Sequence, residues 1–401
     1  MKRFYPILLL APIFFSFPVL AQTPTPPNPL ETPVQNPIVP LNRPLTPEER
    51  QKLTESLDKL DAEARAKYDA GLYQEAFPIW YEEIKQRRAL GDVEEVKGLG
   101  RVGLAAWERD RTDEVKYINQ RLKNIQQNAE TGKKMTPELR AELGIAYEQI
   151  RAIDSAVTIY DRILADARKA NDPVAIEANL SKLGELHLKR FDYQRAAPVY
   201  EELLVIARSR NDSLQEGIYL QKLAEIYHES LQPANAARIK EEIAENYLRN
   251  QQPQLIPPMK ILIGLDYQAL NDPNKASQNF QEAYSLAFAL QQYGTAGEAL
   301  GRLAELYQKY GQTDYALQIY QETIKVHELG YNYYGLMTTY DKIGQIYLDR
   351  KDYRQAMNAF QKGSELARAI RYREEYFQNQ IARVNQAMTQ PPTEEKPAPS
   401  P

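Results

Sequence analysis

An alanine recurs every forty residues along most of this chain. The recurring positions are Ala156, Ala196, Ala236, Ala276, Ala316 and Ala356, and Ala76 lies in step two periods earlier. A fixed period of 20–50 residues is typical of stacked supersecondary units rather than of one globular core. Stacked units present extended surfaces, and such surfaces usually bind other molecules. The period therefore predicts a repeat architecture with a binding function.

Each forty-residue unit carries small and aromatic residues at fixed places. We count units from residues 57, 97, 137, 177, 217, 257, 297 and 337. The eighth place is small in seven units, and Leu104 is the exception: Ala64, Gly144, Gly184, Ala224, Gly264, Ala304 and Gly344. The eleventh and twenty-fourth places are mostly aromatic: Trp107, Tyr147, Tyr227, Tyr267, Tyr307 and Tyr347, then Trp80, Tyr160, Tyr200, Phe280, Tyr320 and Phe360. Because short side chains let two helices approach closely, the small places predict crossing points of antiparallel helix pairs.

This pattern resembles the tetratricopeptide repeat. The best matches are LAELYQKYGQTDYALQIY (303–320), LGELHLKRFDYQRAAPVY (183–200) and IGQIYLDRKDYRQAMNAF (343–360). The resemblance covers about 50–390 and implies an all-α fold, a right-handed α-solenoid of about eight helix pairs. Residues 372–389 are apolar at Phe377, Ile381, Val384 and Met388, which predicts a C-terminal capping helix.

The repeat has three departures that predict looser packing and a bend. The second unit carries Lys116 in place of alanine and Gln120 in place of an aromatic residue, and the fifth unit carries Lys240 at the aromatic place.

The two ends of the chain differ in composition from the repeats. A short basic start, an apolar run and Val19-Leu20-Ala21 are typical of a secretory signal peptide over 1–21, so we expect an exported, periplasmic protein. Nine prolines predict a semi-rigid linker over 22–47, and five more predict a disordered tail over 391–401. Thr46, Pro47 and Glu49 predict a helix start, so the solenoid is expected over 48–390.

Charge and composition exclude several classes of function. Removing 1–21 deletes Lys2 and Arg3, which leaves 48 basic against 54 acidic residues and a net charge of −6. An acidic chain is a poor candidate for binding nucleic acid. The absence of cysteine rules out disulfides and thiolate chemistry. Gly98 to Gly103 spell a dinucleotide fingerprint, but they fall within a predicted helix and not after a strand, so we interpret them as packing residues. No catalytic constellation is found, and we expect no enzymatic activity.

In this family the first helix of each pair lines a concave groove. Carrying over its groove places predicts ten partner-binding residues, here named the polar row: Glu108, Glu148, Glu185, Gln221, Glu225, His228, Gln268, Glu305, Gln308 and Gln345. Three interpretations stay open. The row is a solvated polar face, a docking surface for an extended peptide, or in part a cation site. A cation site would use Glu225 and His228, one helical turn apart, with Glu148 and Glu185, and would suit Mn²⁺ or Ca²⁺ better than Zn²⁺. His187, at a core aromatic place, is expected to be buried.

The layout of signal peptide, spacer and repeats is also similar to the PratA family, the processing-associated tetratricopeptide proteins of cyanobacteria. That resemblance implies a periplasmic assembly factor for photosystem II. It also implies that the carboxyl-terminal part of the D1 precursor is the partner and that the protein supplies Mn²⁺. The alternative is a general periplasmic interaction or structural solenoid without a metal role.

Overall fold

A computed structural model describes residues 27–40 and 43–389, and these residues form helices and no strands. The helices are Pro47–Asp69 (α1), Tyr73–Arg87 (α2), Asp92–Glu108 (α3), Thr112–Thr131 (α4), Pro137–Gln149 (α5), Ile153–Ala170 (α6), Pro173–Lys189 (α7), Tyr193–Ser209 (α8), Ser213–Glu229 (α9), Pro233–Arg249 (α10), Ile256–Ala269 (α11), Pro273–Ala289 (α12), Tyr293–Lys309 (α13), Thr313–Leu329 (α14), Tyr333–Asp349 (α15), Tyr353–Ala369 (α16) and Glu374–Thr389 (α17). Short 3₁₀ turns lie at Pro29–Glu31, Arg88–Leu90 and Pro253–Leu255. The fold is an all-α solenoid of paired helices, as predicted.

The chain divides into two compact units, residues 1–159 and 160–401. In the second unit each helix contacts the next along the chain, from α7 to α17. First helices of successive pairs also contact each other, α11 with α13 and α13 with α15. In the first unit α1 packs on α2, and α3 packs on both α4 and α5.

Local sequence sets the helix boundaries. Thr46 caps α1 in a capping box with Glu49, as the sequence predicts, and Thr136 caps α5. From Arg151 onward a left-handed residue follows a helix every twenty residues, as at Asn171 (φ 50°) and Asn211 (φ 53°). Asparagine adopts this left-handed conformation at little cost. The residue after each asparagine is an aspartate, Asp172 or Asp212, and its side chain caps the following helix.

The small and aromatic places meet as predicted in the second unit. An added Cβ at Gly184 would lie 2.9 Å from the Tyr200 ring, and one at Gly264 would lie 2.5 Å from the Phe280 ring. Gly344 stands in the same relation to Phe360. The ring of the second helix therefore occupies the space that a side chain on the first helix would need, which fixes the crossing point of each pair.

The predicted capping helix is present as α17. Phe377 and Val384 are fully buried in a cluster with Phe360 and Met337, and Ile381 packs at its edge. Met388 is 56% exposed, so the apolar stripe ends one turn earlier than the sequence pattern suggests. Burial of this face covers the apolar side of the last helix pair.

The predicted loosening at Lys240 is wrong, because the lysine has a buried partner. Its Nζ lies 2.7 Å from Oδ2 of Asp266 on α11, and both side chains are more than nine-tenths buried. Asp266 occupies the tenth place, where other units carry Ala, Leu or Ile. One ion pair thus replaces an aromatic–aliphatic contact. Lys116 and Gln120, in contrast, lie on the exposed side of α4.

Residues 27–40 pack against the first unit, which differs from the spacer expected over 22–47. We name this segment the strap. Leu30 is fully buried, and Val39 joins a cluster with Leu53 and Leu57 of α1. Burying two aliphatic side chains gives a proline-rich segment enough apolar area to be held in place, which the count of prolines does not reveal.

Polar contacts fasten the strap along its length. The Asn28 amide donates to the carbonyl of Tyr117 (2.9 Å), and the Ile38 N–H donates to Oε1 of Gln86 (2.9 Å). Nζ of Lys85 donates to Oγ1 of Thr32 (3.1 Å) and to the Pro33 carbonyl (3.2 Å). The lysine side chain is 2% exposed, so the strap is part of the folded unit. The predicted signal peptide and the tail lie outside the described residues.

The glycine-rich run of the sequence lies within a helix, as predicted. The run from Gly98 to Gly103 lies inside α3, and a Cβ at Gly100 would lie 3.2 Å from Ala146 of α5. These glycines therefore serve helix packing, as expected. None of the described helices is both long and apolar enough to cross a membrane.

Candidate partner-binding surface

The structure places every residue of the polar row on the first helix of a pair, and none of the ten is buried. Glu108 and Glu148 belong to the first unit. The other eight lie in the second unit on α7, α9, α11, α13 and α15. Within α9, Gln221, Glu225 and His228 are spaced four and three residues apart, so they share one face of the helix, and all three are exposed.

The carboxylates of Glu185 on α7 and Glu225 on α9 act on the same phenol. Burial, followed by the negative charges of Glu185 and Glu225, raises the pKa of Tyr200 to about 12. Tyr200 packs on Gly184 of α7, and its ring centroid lies 6.3 Å from that of Tyr219 on α9. The two glutamates of adjacent repeats therefore lie on one surface of the second unit.

Cations lie beside two carboxylates of the polar row, which the sequence analysis does not predict. Lys222 lies 3.1 Å from Glu225. Glu305 is held between Arg302 (3.5 Å) and Lys342 of α15 (2.9 Å). Glu225 and Glu305 thus lie in a field of mixed sign, with cations on their own helix and, for Glu305, also on the next first helix.

The described residues do not assemble the predicted cation site. No group of three or more His, Asp or Glu side chains in residues 27–40 and 43–389 is arranged to hold a metal ion. Glu225 and His228 share a helix face, but the carboxylate of Glu225 forms an ion pair with Lys222. A metal site in this chain stays a prediction from the sequence.

His187 is buried, as its core place predicts. It is 5% exposed, and burial lowers its pKa although Asp192 partly opposes this shift. His327 of α14 is also buried, with 6% exposure, although the sequence analysis does not single it out. A signal was available, because its place is alanine in four of the other seven units: Ala167, Ala207, Ala287 and Ala367.

Comparison with known proteins bears on the second unit. Models of the tetratricopeptide repeat match residues 180–214 and 295–369. No curated protein sequence matches the chain significantly.

Several solved structures are similar at low sequence identity. BtubC from P. vanneervenii is 19% identical, over 62% of this chain and 96% of that chain, with a TM-score of 0.36. A signal transduction ATPase with a tetratricopeptide repeat sensor, from Pyrococcus horikoshii, is 14% identical over 86% of this chain, with a TM-score of 0.44; the match spans 51% of the ATPase. Aspartyl phosphate phosphatase F from Bacillus subtilis is 12% identical, over 84% of this chain and 94% of that chain, with a TM-score of 0.33.

Proposed function

Because this chain is a tetratricopeptide repeat protein, we propose that it is a scaffold that binds an extended segment of a partner protein through the eight residues of the polar row that lie in the second unit. The observation that carries the proposal is this part of the row itself. Its members recur at fixed places on first helices of the second unit, and none of them is buried. Such regular spacing matches a polypeptide that runs from repeat to repeat.

The row offers two kinds of contact to such a segment. The amides of Gln221, Gln268, Gln308 and Gln345 can both donate to and accept from a peptide backbone. Glu225 and Glu305 are paired with lysine or arginine, so a basic side chain of the partner would exchange one exposed ion pair for another at these two places. Each exchange contributes only about 0–1 kcal/mol, so affinity comes from several contacts and falls as salt rises.

Charge reversal tests the proposal. A variant with Glu185→Lys, Glu225→Lys and Glu305→Lys should recover less partner than the parent chain in pull-downs from envelope extracts. The matched control reverses three exposed glutamates on second helices, Glu245, Glu328 and Glu365, and should retain the partner. If the row variant and the control recover the partner equally, the polar row is not the binding surface.

The sequence layout supports a finer proposal, an exported assembly factor of photosystem II that binds the D1 precursor and delivers Mn²⁺. Titration calorimetry of Mn²⁺ into the full chain tests the metal role directly. Binding heat should disappear in the Glu225→Ala, His228→Ala double variant. Heat that persists unchanged in that variant would exclude this pair as ligands, and no heat in the parent would leave the scaffold role without the metal.

A further inference from the structure

A cleft of about 470 Å³ opens in the second unit among α13, α14 and α15. Its α13 wall carries Gly294, Gly297 and Gly301 on one face, and its α15 wall includes Thr339 and Lys342. Tyr320 and His327 of α14 also line it. The volume lies in the range of clefts that hold small ligands or single side chains.

Gly301 has no packing reason to be glycine. It lies in the middle of α13, where glycine is unfavourable compared with alanine. A Cβ added there would have no neighbouring atom within 4 Å, in contrast to the added Cβ of Gly264 beside Phe280. The bare backbone at Gly301 therefore keeps space in the cleft open and lets a ligand approach the helix closely.

Two buried polar atoms that line the cleft lack a partner. Oη of Tyr320 and Nδ1 of His327 make no hydrogen bond, although the residues are 2% and 6% exposed. Unpaired buried polar groups are costly, and a native protein rarely keeps two of them in the lining of one cleft without a use. The imidazole also fits only because Gly297 and Gly335 flank it, since a Cβ at either residue would collide with its ring.

We propose that this cleft binds a primary carboxamide, such as the side chain of glutamine or asparagine. A carboxamide both donates and accepts, as do the neutral phenol and imidazole that line the cleft. A charged group would have to lose its water beside two neutral partners, which is less favourable. At the rim, Glu298 and Glu305 balance Arg302 and Lys342, so the opening carries no net charge to select an ion.

The carboxamide has two sources, a partner segment or a free amino acid, and the rim separates them. The α-ammonium and α-carboxylate of a free amino acid can pair with the rim charges, whereas a residue within a peptide has neither group. The inference uses Glu305 of the polar row but does not depend on the proposed scaffold role.

Histidine spectroscopy on the full chain tests the cleft directly. The chain has three histidines, so ¹⁵N-histidine labelling gives a separate ring signal for His327, and the buried His187 is an internal control. Titration with N-acetyl-glutamine methylamide should shift the His327 signals saturably, with a Kd of about 1 mM for a probe of this size. N-acetyl-norleucine methylamide, which lacks the amide, should leave them unchanged. Free glutamine that binds more tightly than the capped probe identifies a small-molecule site, and equal or weaker binding identifies a polypeptide segment.

Two variants separate binding from folding. Tyr320→Phe removes only the unpaired hydroxyl, at a place where Phe280 and Phe360 stand in other units, so the free protein should fold normally. It should bind the capped probe at least tenfold more weakly. Gly301→Leu should fill the cleft, fold normally and abolish the shift of His327.

Three results would overturn the inference. The first is the absence of any His327 signal shift with either amide probe at concentrations up to 20-fold above the expected Kd. The second is an equal shift with the norleucine probe, and the third is an unchanged affinity of folded Tyr320→Phe for the capped glutamine probe. The first would mean that ordered water alone satisfies the two buried atoms. Because the probes need no partner protein, failure here and failure of the charge-reversal experiment are independent.

Discussion

The ion pair of Lys240 and Asp266 makes a quantitative prediction about how the repeat tolerates a departure from its pattern. Other units place an aromatic ring and an aliphatic side chain at these two places, and such pairs share one core: Phe280 with Leu306, and Tyr320 with Ile346. Replacing Asp266 by leucine alone leaves the Lys240 ammonium buried without a partner. Breaking a buried pair in this way costs about 3–5 kcal/mol.

The double variant Lys240→Phe, Asp266→Leu restores the pattern of the other units. The ring would lie over Ala224, which has the same relation to it as Ala304 has to Tyr320. Replacing a buried ion pair by well-packed apolar residues is neutral or stabilising by about 1–4 kcal/mol. The double variant should therefore be at least as stable as the parent, although each single variant is much less stable.

Urea unfolding followed by circular dichroism measures the differences, and hydrogen exchange of the α10 and α11 amides localises them. The second measurement is needed because repeat arrays do not always unfold in one step. Salt at 1 M should change the cost of Asp266→Leu little, since buried charges are poorly screened. A loss below about 1 kcal/mol in Asp266→Leu would refute the burial argument. A double variant as unstable as the single ones would refute the equivalence of places between units.

Three other predictions concern the strap, the crossing glycines and His327. Leu30→Asp should release the strap, because a carboxylate cannot occupy a fully buried apolar site. Hydrogen exchange of the Ile38 amide should then accelerate at least tenfold, whereas the control Glu31→Gln should leave this amide protected. Slow exchange in Leu30→Asp would contradict the prediction. Gly264→Ala should lower the free energy of unfolding by about 1–3 kcal/mol because its Cβ meets the Phe280 ring, whereas Gly301→Ala should raise it by about 1 kcal/mol. Thermal melts that rank the two variants in the opposite order would exclude the packing argument. Burial lowers the pKa of His327 below 6.5, so its contribution to stability is present above pH 6.5 and is lost as pH falls through the lowered pKa. The melting temperature of His327→Ala should therefore fall less between pH 8 and pH 5 than that of the parent. Parallel melting profiles would show that protonation of the imidazole does not destabilise the folded protein.

Much of the fold could be predicted from the period of the sequence. The places of Gly184, Gly264 and Gly344 predict the crossing points, because only a bare backbone leaves room for the opposing ring. The caps at Thr46 and Thr136 follow from local chemistry that does not depend on the rest of the chain.

Features that depend on contacts between distant residues could not be predicted in the same way. Lys240 is an unfavourable residue for its place when considered alone, and only Asp266, 26 residues later, explains it. The strap has the composition of a spacer, and its buried anchors, Leu30 and Val39, are two aliphatic residues among many prolines. The polar row could be placed on the first helices, but the mixed charge around Glu305 depends on Lys342 of the next pair.

The docked strap has a consequence for competition. Only residues 41–46 separate the strap from α1, so the strap and the surface of the first unit on which it packs are held together at an effective concentration of millimolar order. A separate molecule that carries the same proline-rich sequence must exceed that concentration to displace it. A ligand present at micromolar levels could succeed only by making contacts that residues 27–40 do not make.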